Sequence, residues 1–185
     1  MVLTETPVCH FGQAAIEFSL PDYDGTILTL HDCQGESGTL VMFICNHCPY
    51  VKAIQTRLVE DAHALAALGI KCVAIMSNDP TDYPEDSVEN MKVVAEEFAY
   101  PFPYLFDHTQ EIARAYGAVC TPDFFGYNKQ LELQYRGRLD SSGKQAVNAN
   151  TRRDLVEAMQ QVAETGQGPQ QQIPSIGCSI KWKQT

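Results

Sequence analysis

The stretch that decides the fold of this chain is Thr39-Leu40-Val41-Met42-Phe43-Ile44-Cys45-Asn46-His47-Cys48. It begins with a continuous apolar run, which is typical of a strand covered on both faces of a sheet. An amphipathic helical pattern follows, in which apolar residues recur three or four positions apart: Val51, Ile54, Leu58, Ala62, Leu65 and Leu68. The two thiols therefore lie at a strand-to-helix junction. Unpaired N–H groups and positive potential at a helix start favour thiolate over thiol, so this position indicates redox chemistry.

The segments around this junction predict an α/β fold. A second buried strand over residues 72–76 follows the helix, and the strand–helix–strand order implies parallel pairing. Antiparallel hairpins are predicted within residues 16–30 and 123–135. Three further helices are predicted, and their expected starts are Glu85 with Asp86, a capping box of Asp107 with Gln110, and Thr151.

Composition limits the class of protein. With 185 residues we predict one domain over 1–185, with a loose N-terminus over 1–14 and a linker and tail over 166–185. The net charge of −10 argues against nucleic acid or a membrane as partner, since both attract clustered Lys and Arg. We see no secretion signal and no apolar run near the ~18 residues of a membrane span. Seven cysteines then suit a reducing cytoplasm.

The thiols Cys45 and Cys48 allow a second interpretation, as ligands of zinc or copper(I) together with His47. A zinc site usually has four ligands in two paired sets, and the chain has no second Cys-x-x-Cys and no His-x-x-x-His. We therefore favour redox chemistry and predict no metal. An imidazolium at His47 would favour the thiolate and give a less reducing couple, although a solvated histidine without redox effect is the alternative.

A Thr121-Pro122 step precedes a predicted strand. X-Pro bonds are where cis peptides occur, and a cis proline at a strand start exposes backbone with which a substrate could pair. Base rates favour an ordinary trans proline at such a position.

At this point the chain resembles the peroxiredoxin-like subgroup of the thioredoxin-fold superfamily, the redoxins of the alkyl hydroperoxide reductase and thiol-specific antioxidant type. The segments that carry the resemblance are Phe18-Ser19-Leu20-Pro21-Asp22, Cys45-Asn46-His47-Cys48-Pro49-Tyr50-Val51-Lys52, Tyr83-Pro84-Glu85-Asp86, Tyr116-Gly117-Ala118-Val119-Cys120-Thr121-Pro122-Asp123-Phe124-Phe125 and Ser175-Ile176-Gly177-Cys178-Ser179-Ile180-Lys181-Trp182. The resemblance implies a thioredoxin-like fold, with a central mixed sheet, helices on both faces and an N-terminal β-hairpin extension. It also implies a cis proline at Pro122, with Thr121 and Pro122 forming a substrate-binding loop beside the Cys-x-x-Cys.

The leading functional hypothesis is a thiol–disulfide oxidoreductase that cycles Cys45 and Cys48 between dithiol and disulfide. By the thioredoxin logic we assign the attack to Cys45 and the resolution to Cys48. Pro49 complicates this assignment, because a first-turn proline would make Cys48 the helix cap and depress its pKa as well. We expect no cofactor beyond the redox-active disulfide, protein or small-molecule thiols and disulfides as substrates, a thioredoxin or glutathione system as reductant, and a monomer or homodimer.

A thiol peroxidase that uses Cys48, with Cys45 resolving, is the alternative enzyme. Cys48-Pro49 resembles the peroxidatic pair of true peroxiredoxins. Those proteins carry Thr or Ser three residues before the cysteine, where this chain has Cys45. Their activating arginine lies at the start of the late strand, where this chain has Cys120-Thr121-Pro122. These departures favour disulfide exchange over peroxide reduction.

Two further cysteines are candidate redox thiols. Cys120 adjoins Pro122, so it could lie close to the Cys-x-x-Cys. Cys178 lies on a tail long enough to fold back, and it could act as a resolving or relay thiol or simply anchor the tail by packing.

Overall fold

The structure, a computed structural model, describes residues 3–184. In chain order the strands are β1 (Leu3–Glu5), β2 (Ser19–Pro21), β3 (Ile27–Thr29), β4 (Gly38–Phe43), β5 (Ile70–Met76), β6 (Tyr104–Phe106), β7 (Cys120–Thr121), β8 (Asp123–Asn128), β9 (Leu133–Tyr135) and β10 (Ile176–Ser179). The helices are α1 (Pro49–Lys52), α2 (Gln55–Ala66), α3 (Val88–Glu97), α4 (Glu111–Tyr116) and α5 (Asp154–Thr165), with a short 3-10 helix at Pro84–Asp86. No helix of residues 3–184 is long and apolar enough to cross a membrane.

The apolar run forms β4, the middle strand of a five-stranded sheet in the order β6-β5-β4-β8-β9. β4 is parallel to β5 and antiparallel to β8, because β4 and β5 enclose a helix while β8 returns in the opposite direction. The residues of β4 point alternately to two apolar cores. Met42 packs on the side of α2, α3 and α5, and Phe43 on the side of α4 and the β2–β3 hairpin. The predicted mixed sheet with helices on both faces is confirmed.

The helix predicted after the Cys-x-x-Cys divides into α1 and α2. The break lies at Ala53 and Ile54, where the Ile54 N–H bonds to the Val51 carbonyl three residues back. The α-helical hydrogen bonds resume with the Leu58 N–H, which donates to the Ile54 carbonyl. Gly69 follows the end of α2 with a φ of 76°, a left-handed conformation that glycine adopts without a Cβ clash. The division leaves α1 as a single turn beside the two thiols.

The two ends of the chain are more ordered than the sequence predicts. β10 lies between β1 and β7 in an antiparallel sheet, with Leu3 opposite Cys178 and Cys178 opposite Thr121. Both strands form in stretches for which a loose N-terminus (1–14) and a linker and tail (166–185) are predicted, while residues 1, 2 and 185 lie outside the described part. The physical reason is that each end satisfies the other's backbone hydrogen bonds.

The predicted helix starts also differ from the observed ones. Gln110 adopts a left-handed φ of 64° before α4, and its side-chain amide donates to backbone carbonyls instead of completing a capping box. Arg153, and not Thr151, directly precedes α5. Ser87 caps α3 by accepting from a backbone N–H, so Asp86 ends the 3-10 helix instead of opening α3. Asp86 is thereby available to the Cys-x-x-Cys loop.

Candidate active site

The fold brings the two thiols of the Cys-x-x-Cys against the proline loop. Cys45 lies just after β4, and Cys48 is the N-cap of α1, with Pro49 at its first position. The Cys45 sulfur lies 3.2 Å from Thr121 Oγ1, and the Cys48 sulfur lies 3.1 Å from the Thr121 carbonyl oxygen. The Thr121–Pro122 peptide bond is cis. The structure thus places four of the predicted site residues in one cluster, with both cysteines buried.

The surroundings of the two thiols shift their pKa values in opposite directions. A hydrogen bond from the Cys45 thiol is the main cause that lowers the pKa of Cys48 from its ordinary 9.0 to about 4. Burial opposes this shift, while the Cys178 thiol and the Val51 backbone N–H add to it. Burial raises the pKa of Cys45, as do its hydrogen bond to Cys48 and the charge of Asp86. The Cys48 thiolate is therefore the nucleophile that this geometry favours.

This polarity differs from the predicted assignment, in which Cys45 attacks and Cys48 resolves. Because Pro49 starts α1, Cys48 occupies the cap position beside the unpaired backbone N–H groups of the helix start. Cys45 instead precedes the helix and lies next to a buried carboxylate, that of Asp86. The Thr121 carbonyl can accept a hydrogen bond from Cys48 only while Cys48 keeps its proton, so this contact opposes ionisation. The hydrogen bonds donated to the Cys48 sulfur outweigh this effect, and its pKa is lowered.

Asp86 organises the loop that carries the thiols, although it lies 40 residues away from Asn46. One carboxylate oxygen accepts the backbone N–H groups of Asn46 and His47, at 2.8 and 3.0 Å. The other accepts the side chains of His47 at 2.6 Å and Asn78 at 2.8 Å. Burial raises the pKa of Asp86, but the hydrogen bonds from His47 and Asn78 outweigh burial and hold it below its ordinary value. The carboxylate is thus an acceptor for four donors.

His47 points its Nδ1 at Asp86, so its nearest charged contact is a carboxylate and not a thiolate. The Cys45 sulfur lies 3.7 Å from the same nitrogen. The ring of Tyr83 stacks on the imidazole with centroids 4.3 Å apart. The His47 Nε2 is buried and makes no hydrogen bond within the described residues. His47 therefore contacts both the Asp86 carboxylate and the Cys45 sulfur through one ring nitrogen.

One group of side chains has the composition of a metal site. The ligand atoms of Cys45, His47 and Asp86 lie within 4.8 Å of one another, and all three residues are buried. This set differs from Cys45, His47 and Cys48, the ligands that the alternative metal interpretation of the sequence names. The Asp86 oxygens already accept four hydrogen bonds, and a metal ion would have to displace the one from His47 Nδ1. The donor arrangement therefore favours a hydrogen-bonded scaffold.

The two additional candidate thiols are placed differently. The Cys178 sulfur lies 2.9 Å from the Cys48 sulfur. Cys120 neighbours Thr121 on β7, and successive strand residues point to opposite faces. Its thiol donates to the Pro122 carbonyl at 3.7 Å, and burial raises its pKa. The structure therefore brings Cys178, and not Cys120, to the sulfur of Cys48.

Asp86, Asn78 and Tyr83 are site residues that sequence reasoning did not identify. Asp86 and Tyr83 lie in the segment Tyr83-Pro84-Glu85-Asp86, which carried part of the resemblance but received no role. The signal that could have found Asp86 is a polar, proline-bounded loop directly after a buried strand, because such loops lie at the same sheet edge as the Cys-x-x-Cys. Asn78 begins that same loop.

A cavity of about 310 Å³ lies beside the site. Its walls include Tyr50 of α1, Pro122 of the cis-proline loop and Ser175 before β10. The cavity thus adjoins both α1 and the cis-proline loop.

A thioredoxin-type redoxin is the class of protein that this fold and this site define. The sequence gives a more specific classification: residues 11–140 match the AhpC/TSA family. The chain belongs to that family. No protein with a curated description matches the sequence.

Several solved structures are similar to this chain. An uncharacterized conserved protein from Geobacillus kaustophilus is 46% identical, with a TM-score of 0.93 over 100% of this chain and 98% of its own. A hypothetical protein from Sinorhizobium meliloti 1021 is 38% identical, with a TM-score of 0.89 over 97% and 98% of the two chains. A secreted Mycobacterium tuberculosis disulfide oxidoreductase is 19% identical, with a TM-score of 0.54 over 63% of this chain and 80% of its own, and shares the fold.

Proposed function

We propose that this protein is a thiol–disulfide oxidoreductase that cycles Cys45 and Cys48 between dithiol and disulfide. The observation that carries the proposal is that both sulfurs meet at the cis-proline loop, Cys45 at 3.2 Å from Thr121 Oγ1 and Cys48, the N-cap of α1, at 3.1 Å from the Thr121 carbonyl oxygen. This arrangement supplies a stabilised thiolate and a resolving thiol within one turn of chain, which is what disulfide exchange requires.

The reaction proceeds in two exchange steps. The Cys48 thiolate attacks one sulfur of a substrate disulfide, forms a mixed disulfide and releases the first substrate thiolate. Cys45 then loses its proton to the released thiolate and attacks the Cys48 sulfur, which forms the Cys45–Cys48 disulfide and frees the second substrate group as a thiolate that takes its proton from water. Two electrons pass to the substrate, and a thiol reductant of the thioredoxin or glutathione class returns them.

The electrostatics of Cys45 suit the second step. Its pKa is raised by burial and then by its hydrogen bond to Cys48 and the charges of Asp86 and Cys48. In the mixed disulfide Cys48 carries no charge, so both Cys48 contributions disappear and Cys45 deprotonates more readily. The resolving thiol thus becomes active after Cys48 has reacted.

Insulin-disulfide reduction with dithiothreitol as the electron source tests the proposal. We expect Cys45→Ser and Cys48→Ser each to fall to the rate of dithiothreitol alone. Cys72→Ser is the matched control, because Cys72 is a buried thiol of β5 whose pKa burial raises to about 12, and it should keep the wild-type rate. Wild-type rates in both site variants would contradict the proposal.

A thiol peroxidase is the second candidate, favoured by the low pKa of Cys48 and by membership of the AhpC/TSA family. One observation weighs against it. Among the residues described, no arginine donates to the Cys48 sulfur to polarise a peroxide bond. Consumption of hydrogen peroxide at the rate of free cysteine would exclude this activity, whereas a much faster, Cys48-dependent rate would establish it.

Substrates and location follow as further parts of the proposal. The cavity beside Tyr50 and Pro122 offers room for a small thiol or for one side chain of a protein disulfide. A reducing compartment such as the cytoplasm would keep Cys45 and Cys48 ready as a dithiol.

A further inference from the structure

The C-terminal strand presents a third cysteine to the thiol pair. Cys178 on β10 is 130 residues away from Cys48 along the chain, yet their sulfurs lie 2.9 Å apart. A disulfide bond is about 2.05 Å long, so the two sulfurs need to approach by about 0.9 Å to become bonded. Cys178 is buried, as are Cys45 and Cys48.

Contacts on both sides of Cys178 hold this sulfur in place. Gly177 packs so closely on the proline loop that a Cβ there would overlap the Thr121 carbonyl. Before it, the Ser175 hydroxyl donates to the Pro122 carbonyl at 2.8 Å. After it, the Lys181 backbone N–H donates to Asn78 Oδ1 at 2.8 Å. Because Asn78 also donates to Asp86, the strand and the Cys-x-x-Cys loop share one hydrogen-bond network.

β10 occupies the open edge of β7, which is the backbone of the cis-proline loop. Its pairing sets Cys178 opposite Thr121, the residue whose carbonyl touches the Cys48 sulfur. An extended segment that pairs with an exposed strand edge is a recurring mode of peptide recognition. β10 therefore holds a cysteine where a paired peptide would present one to Cys48.

We propose that Cys178 is a third redox thiol, which exchanges with the Cys45–Cys48 disulfide to form a Cys48–Cys178 disulfide. This inference rests on the proposed function, since disulfide exchange with a substrate supplies the oxidised pair. In the step, the Cys178 sulfur attacks the Cys48 sulfur, the Cys45–Cys48 bond breaks and Cys45 leaves. The proton of Cys178 passes to Cys45. The step is an isomerisation, so it needs no further oxidant, and it bonds β10 to the start of α1.

The electrostatics of Cys178 agree with this order of events. Burial raises the pKa of Cys178, and its hydrogen bond to Cys48 and the charge of the Cys48 thiolate raise it further. When Cys48 is oxidised, the two contributions from Cys48 disappear, while Lys181 continues to favour the Cys178 thiolate. Cys178 therefore becomes a better nucleophile when a disulfide is present to attack.

Disulfide mapping of the full-length protein tests the proposal. Wild type and Cys45→Ser are equilibrated with oxidised glutathione, quenched with acid, alkylated, digested and analysed by mass spectrometry. We expect the Cys48–Cys178 peptide pair to contain most of the oxidised Cys48 in Cys45→Ser, and both linkages to be present in wild type. Cys45→Ser with Cys178→Ser should carry glutathione on Cys48. Cys45→Ser with Cys120→Ser, the matched control, should still form Cys48–Cys178.

The outcomes separate this inference from the proposed function. If wild type forms Cys45–Cys48 but neither protein forms Cys48–Cys178, the third-thiol assignment is overturned and the proposed function stands. If Cys45→Ser links Cys48 to Cys178 while wild type never links Cys45 to Cys48, the proposed function fails and so does the exchange step that starts from the Cys45–Cys48 disulfide, although Cys178 is still a redox thiol. Glutathione on Cys48 of Cys45→Ser, with Cys178 alkylated as a thiol, also overturns the assignment.

Discussion

Replacing Asp86 by asparagine removes the acceptor that holds the Cys-x-x-Cys loop. The carboxylate is fully buried and accepts four hydrogen bonds, from two backbone N–H groups and two side chains. An asparagine offers a single acceptor oxygen, so its NH₂ group must face two of these donors. Each lost bond to a charged acceptor costs about 1.5–3 kcal/mol, and two give about 3–6 kcal/mol. Because a neutral amide is cheaper to bury, we expect about 3 kcal/mol.

Urea unfolding at pH 7 measures this change in the free energy of unfolding. Glu85→Gln is the matched control, because it makes the same change in charge one residue away on an exposed side chain. We expect the stability of this control to stay close to that of wild type. The Asp86 contribution should be fully present above the ordinary carboxyl pKa of 3.8, and it is lost as the pH falls below that value. A loss of less than about 1 kcal/mol in Asp86→Asn would refute the assigned role.

The remaining predictions concern Cys48, Gly177 and the buried pair of Arg136 with Asp123. Thiolate absorbance at 240 nm should report the ionised Cys48, and Cys48→Ser should abolish it. In wild type this absorbance should persist below pH 7 and decline toward about pH 4. Its loss already near pH 8 would contradict the lowered pKa of Cys48. Gly177→Ala should speed amide exchange in β10 by about tenfold or more, whereas Ile176→Ala, with an exposed side chain, should not; equal exchange would exclude the close packing. Arg136→Met should cost about 3–5 kcal/mol, because it leaves a buried carboxylate unpaired, and Arg136→Met with Asp123→Asn should recover part of that loss in the same unfolding assay.

The elements that the sequence predicts correctly are those with a strong local pattern. β4 is a continuous apolar run, and β5 repeats that pattern after a helix of regular spacing, so their parallel pairing follows from connectivity. The β2–β3 and β8–β9 hairpins have turn residues between short strands, and both are antiparallel as predicted. These features depend on neighbours along the chain, which a single sequence contains.

The elements that the sequence misses depend on distant partners. β1 and β10 are three and four residues long and carry no clear alternation, and each becomes a strand because the other supplies its hydrogen bonds. Asp86 has the composition of a helix start, and only the folded chain shows that its carboxylate faces Asn46 and His47. The approach of Cys178 to Cys48 likewise has no local signal.

The polarity of the thiol pair shows the same limit. Pro49 indicates from the sequence that Cys48 caps a helix, which is the observed geometry. The sequence does not show that Asp86 lies beside Cys45, and this carboxylate is one reason why the pKa of Cys45 is raised. The sequence therefore predicts which thiols form the pair, whereas their division of roles depends on a contact between distant segments.

A redox titration of the wild-type protein in glutathione buffers, with mass-spectrometric counting of alkylated thiols, tests the central claim most directly. The claim is that Cys45 and Cys48 form one exchanging couple. We predict that Cys48 loses its reactivity toward alkylation in one two-electron transition, and that Cys45 and Cys178 together lose one thiol per molecule at the same potential. Cys72 and Cys120 should remain alkylated as thiols after unfolding at every potential. Cys45 and Cys48 that both stay thiols across the whole titration, or a Cys45 that never oxidises with Cys48, would contradict the claim.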